Sequence, residues 1–133
     1  MQRDMHNNVD EKNALNVEPI TTNTTTVGNI IDTAGFESLE FVVVLGDRTD
    51  GTYTLKLEDG DNSGLSDAAD VAADLRLGAL TAMNASDQVA RIGYIGHKRY
   101  VRLSIVSTGV TTGVDAAGAI AILGHPMHAP VAQ

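Results

Sequence analysis

The chain has 133 residues, a formal net charge of −8 and no cysteine. That describes one domain able to bury a core unaided, without a disulfide framework or thiolate metal sites. The acid excess opposes a domain that coats nucleic acid, which needs clustered Lys and Arg, and the lack of Trp, with two Phe and three Tyr, leaves few platforms for stacking bases or sugars.

No apolar run approaches the roughly 18 residues of a membrane span, and the start MQRDMHNNVDEKN has no apolar signal-peptide core. The expectation is a soluble, non-secreted protein with neither a membrane nor a nucleic-acid partner. Residues 1–14 are charged and amide-rich without periodicity, which predicts a flexible arm. From Leu15, LNVEPI and TTNTTTVGNIID are β-branched but broken by Pro19, Asn23 and Gly28, so they read as edge strands.

SLEFVVVLG alternates, with Leu39, Phe41, Val43 and Leu45 on one face and Glu40, Val42 and Val44 on the other. The second face is half apolar, so the strand is expected to be covered on both sides. Asp50-Gly51 then suits a tight turn, and Tyr53, Leu55 and Leu57 alternate inward with Thr54, Lys56 and Glu58 outward, predicting a β-hairpin. DNSGLSDAADVAADLRLG reads either as a short helix, capped by Ser66 or Asp67 and ending near Gly78, or as a loop.

DQVARIGYIG and KRYVRLSIVS predict a second hairpin around Gly96-His97, with Val101, Leu103 and Ile105 inward. TTGVDAAGAIAILG supplies a last strand with small residues on one face, and HPMHAPVAQ an irregular tail. The organisation is therefore an arm (1–14), an all-β antiparallel sandwich or jelly-roll-like barrel with at most one short helix (15–124), and a tail (125–133).

Three groups of residues carry candidate chemistry. Asp59, Asp61, Ser63, Asp67 and Asp70, with Gly64 between them, have the spacing of a calcium loop. Against that, Asp stands in place of the usual last Glu, the loop follows a strand, and these residue types fill ordinary turns. His125 and His128 share a tail with Pro126, and nothing fixes them beside His97. No glycine-flanked serine elbow or phosphate-binding glycine loop is present, so neither an enzyme nor a cofactor is expected.

The third group is the positive stretch GYIGHKRYVRL, where His97, Lys98, Arg99 and Arg102 gather in an acidic chain, with Arg91 upstream. Either these cations pair with Glu40, Glu58 or Asp side chains of their own sheet, or they form an interface with an acidic partner or a second copy, anchored by Arg and Tyr. The interface candidates are Tyr94, His97, Lys98, Arg99, Tyr100 and Arg102, with His125 and Pro126 from the tail.

The order SLEFVVVLG, DGTYTLKLEDGDN, RIGYIGHKRYVRLSI and AILGHPMHAPVA resembles small proteins of the structural gene clusters of tailed phages and prophages, over about residues 31–132. Its most specific part is Gly93-Tyr94-Ile95-Gly96 with Lys98-Arg99-Tyr100-Val101-Arg102-Leu103, supported by Gly124 and Pro126. The resemblance implies a virion head protein of the decoration or cement type, usually dimeric or trimeric, which bridges major capsid subunits on the outer shell. It implies no catalytic residue. A component of the tail or head–tail joint, and a calcium- or glycan-binding β module, are the alternatives.

Overall fold

The computed structural model describes residues 3–131. The long strands are β1 (Val9–Ile20), β2 (Thr25–Asp32), β3 (Phe36–Leu45), β4 (Thr52–Gly60), β8 (Val89–Tyr94), β9 (Tyr100–Thr108) and β10 (Val114–Pro126). Between β4 and β8 run three two-residue strands, β5 (Ala69–Asp70), β6 (Arg76–Leu77) and β7 (Ala82–Met83), and one 3-10 turn, Ala73–Leu75. The segment expected to be helix or loop is thus mostly loop. Val71 is its buried anchor, and its backbone N–H bonds Leu57 O at 3.0 Å, which ties the loop to β4 in place of a helical ladder.

All pairing is antiparallel, in two sheets of order β1-β10-β3-β8-β6 and β2-β9-β4-β5, with β7 also on β4. Consecutive long strands alternate between the sheets. The chain's first half pairs with its second in nested fashion: β1 with β10, β2 with β9, β3 with β8, and β4 with β5 and β7. A ribbon of such pairs wrapped on itself is a jelly roll.

This topology corrects both predicted hairpins. β3 and β4 lie in different sheets, as do β8 and β9, so residues 46–51 and 95–99 are crossings between layers. Alternation assigns a strand its inner face but not its partner, and a glycine-bearing link of this length can span the ~10 Å between stacked sheets. Gly51 still needs its positive φ of 93°, now to turn the chain across the sandwich. Arg91 consequently sits in the first sheet, apart from Arg102 in the second.

The inner faces are as the alternation dictates. Leu39, Phe41, Val43 and Leu45 of β3 meet Tyr53, Leu55 and Leu57 of β4 and Val101, Leu103 and Ile105 of β9 in one buried cluster. Ala117, Ala119 and Ala121 present the small inner face of β10 to the same cluster. β1 and β2 are edge strands, as their composition requires, and Pro19 lies in the edge strand β1, where a missing donor is tolerated.

Two further expectations are corrected. The arm was expected through residue 14, but β1 begins at Val9, with Val9 opposite Gly124 and Lys12 opposite Ala121. As an edge strand with polar residues on both faces, this segment carries no periodicity to read. The outer face of β3 is open rather than covered, with Val44 exposed. In the tail, His125 and Pro126 close β10, and beyond it Met127 N bonds Gly35 O at 2.9 Å and Val131 N bonds Asn7 O at 2.8 Å. Residues 1–2 of the arm and 132–133 of the tail lie outside the described residues.

Candidate functional site

The strand register brings the sequence-selected residues to one end of the sandwich. Val9 pairs with Gly124, Pro126 with Phe36, Leu39 with Tyr94, Asp32 with Tyr100, and Tyr100 with Gly60. The start of β1, the end of β10 and the loops at 33–35, 61–68 and 95–99 therefore share that end. Two open grooves cut it. One of about 390 Å3 is lined by residues including Thr33, Ser38, Gly96, His97, Arg99 and Met127, and one of about 580 Å3 by residues including Met5, Glu37, Ile95, His125 and Pro126.

Tyr94 is the keystone of this end. It is buried, so it supports the loop from below and is not a surface anchor. Its hydroxyl donates to Asp59 Oδ2 at 2.7 Å, joining β8 of one sheet to β4 of the other, and accepts Lys98 N–H at 3.0 Å. Burial, and then the carboxylate beside it, push the Tyr94 hydroxyl well above its ordinary pKa, so it stays a donor. Gly96 lies against the Tyr94 ring, where a Cβ would come within 2.6 Å of Cζ; only a bare backbone passes there.

Lys98, Arg99 and Arg102 are each matched within the chain. Lys98 Nζ donates to Asp61 Oδ2 at 2.8 Å. Arg99 forms a fork with Asp32, through Nε to Oδ1 at 2.8 Å and Nη2 to Oδ2 at 2.9 Å, and its guanidinium lies 5.1 Å from the Tyr100 ring centroid. Arg102 Nη2 donates to Glu58 Oε1 at 3.2 Å across a β9–β4 register pair. The Asp61 carboxylate raises the Lys98 pKa, and the Arg99 fork lowers that of Asp32. Lys98, Arg99 and Arg102 thus pair with carboxylates of their own chain. His97, Lys98 and Arg99 stay exposed, with Tyr100 and Arg102 half-buried.

The calcium spacing does not become a calcium geometry. Asp67 turns both oxygens to the backbone N–H groups of Asp61 and Asn62, at 2.9 and 3.2 Å, which also lowers its pKa. Asp59 is held by Tyr94 and Asp61 by Lys98, while Asp70 is drawn into β5 opposite Glu58. Ser63 is exposed in the turn. Among the described residues no three His, Asp or Glu converge as a metal site, the histidines included. His125, with a φ of 50°, instead places Nδ1 2.9 Å from Ser38 Oγ.

Sequence reasoning missed Asp32, Ser38 and the 33–35 loop, which carry no motif and gain meaning only from register. Of the apolar residues on the outer face of the first sheet it read only Val42 and Val44. There Val17, Leu77 and Val89 remain 74, 58 and 61 % exposed, and an apolar groove of about 460 Å3 runs past Val17, Val42, Val44 and Ile120. No helix of the described residues is long and apolar enough to cross a membrane.

No protein-family model matches the chain, and no curated protein matches it. Among solved structures the chain is similar to one titled as the structure of infectious bursal disease virus Gx strain, with a TM-score of 0.47 and 15 % identity. The match covers 88 % of this chain and 32 % of that one. The chain thus spans about a third of the structure it matches, and a likeness of that size assigns no activity.

Proposed function

We propose that this protein is a non-enzymatic virion structural protein of the decoration type, which binds the outer surface of a phage head through the sandwich end described above and stabilises the shell. The observation that carries the reading is the convergence, at one end of a jelly roll, of the 95–99 loop, the 33–35 loop and the segments next to both chain ends. A stiff β scaffold with its loops and terminal segments gathered at one end is suited to reaching across a joint between subunits. Many copies on one particle make a weak single contact sufficient. The resemblance of the 93–103 stretch to phage structural proteins favours a head partner, the major capsid protein.

The test is co-sedimentation of the purified protein with expanded, undecorated heads of a phage whose genome carries it, beside His97→Glu and Arg99→Glu. Saturable binding, lost in variants that keep the wild-type circular dichroism spectrum, is the expected result. Heads that sediment without the protein overturn the reading, and capture by isolated tails would move it to the tail or joint.

A further inference from the structure

The outer faces of the two sheets differ in kind. The second sheet carries Lys56, Glu58 and Arg102, bonded among themselves. The outer face of the first sheet is read from its register in three rows. Val17, lying over Gly118, continues to Val44 and Val89; Asn13 continues to Ile120, Val42 and Arg91; Glu11 continues to Ile122, Glu40, Gly93 and Leu77. An apolar band crosses the sheet, with Glu11 on its β1 side and Arg91 on its β8 side. Among the described residues neither Glu11 nor Arg91 has an ion-pair partner. Lys98, Arg99 and Arg102 at the sandwich end each have one.

We infer that this face packs against the same face of a second copy, sheet on sheet, about a two-fold axis running along the strands between β10 and β3. Aligned sheets keep their strand directions within about 30°, and a two-fold contact uses one patch twice. This axis keeps each row in place and exchanges its left and right ends. β8 of one copy then stacks over β1 of the other, bringing Arg91 to Asn13 and to Glu11 one pleat away, while Val44 faces the Val17 that lies over Gly118 and Ile120 faces Val42.

Charge and shape agree on that axis. The acidic side of each band meets the basic side of the other, and Val44 of one copy meets the exposed Val17 that lies over Gly118 of the other. Glu40 is not stranded when water leaves, because it lies diagonal to Arg91 on the neighbouring strand, within reach of a long side chain. Four strand spacings of ~4.8 Å and the roughly 20 Å spanned by the six residues of β8 give a face of about 400 Å2. Two copies would bury about 800 Å2, in the range of weak, transient contacts. The expected assembly is a reversible dimer.

The inference is independent of head binding, and its test uses the purified protein alone. Sedimentation equilibrium should give a dimer of the 14.0 kDa chain, weakened about tenfold or more by Val44→Lys or Ile120→Lys, both on exposed side chains. Arg91→Glu and Glu11→Arg should each weaken it, and the two together should restore it. As a readout that does not depend on a disruptive variant, Val42→Cys, in a chain with no native cysteine, should cross-link to its own copy with a short bismaleimide, and Thr54→Cys on the opposite sheet should not. A monomer, a trimer, or a dimer indifferent to the lysine variants and cross-linked equally from both cysteines overturns it. A monomer that still binds heads would remove this inference and leave the proposed function standing.

Discussion

At the scale of single residues, the Tyr94–Asp59 hydrogen bond is the polar contact whose loss has the clearest expected consequence. Both groups are buried and belong to different sheets, so the bond spans the sandwich where the 95–99 crossing begins. Tyr94→Phe keeps the ring against Gly96 but leaves the Asp59 carboxylate without its donor and Lys98 N–H without its acceptor. Stranding a buried acceptor costs about 1–3 kcal/mol, so the variant should unfold in less denaturant with an unchanged m-value. Thermal and urea unfolding measure this directly, and a variant as stable as wild type would mean that water satisfies both groups. The Tyr94 role was half legible: its place in a strand followed from alternation, but Asp59 lies 35 residues away and no local pattern announces the pair.

At the scale of elements, strands were legible and partners were not. Leu39, Phe41, Val43 and Leu45 declare a face by period two, as do Tyr53, Leu55 and Leu57, and all are buried. In the sequence the glycine turns at Gly51 and Gly96 read as hairpins because a hairpin is the shortest way to use such a turn. Here the chain steps between sheets at both. The polar residues of β1 hid a strand for the opposite reason: at an edge with both faces near solvent, burial imposes no alternation to detect. Gly28 sits where β2 breaks register between Val27 and Ile30. A Cβ there would collide with the carbonyl oxygens of Leu103 and Ala14, so β9 and β1 both close on this one position. Neither carbonyl is the far end of a flexible chain. Gly28→Ala should therefore lower Tm well beyond Gly64→Ala, where a Cβ would come no nearer than 3.4 Å to a single exposed side chain. Equal effects of the two would show that the edge strands separate cheaply.

At the scale of the whole molecule, acid should undo the fold through carboxylates that tie distant segments together. Asp50 accepts the N–H groups of Thr111, Thr112 and Gly113, pinning the 46–51 crossing to the turn before β10, and these bonds hold its pKa below the ordinary value. Asp32 is lowered by the Arg99 fork, and Asp67 by the backbone N–H of Asp61 and then of Asn62. A group with a depressed folded pKa stabilises the fold above its unfolded value, near 4, and loses that contribution as pH falls through the folded value. These three therefore cost nothing between pH 5 and 8 and act together below about pH 4. Tm measured from pH 7 to pH 2.5 should hold level and then drop. Asp50→Asn keeps an acceptor but has no proton to gain, so it should start lower at pH 7 and lose less on acidification. A wild-type Tm that is unchanged at pH 3, or a drop of equal size in Asp50→Asn, would place the acid-sensitive contacts elsewhere.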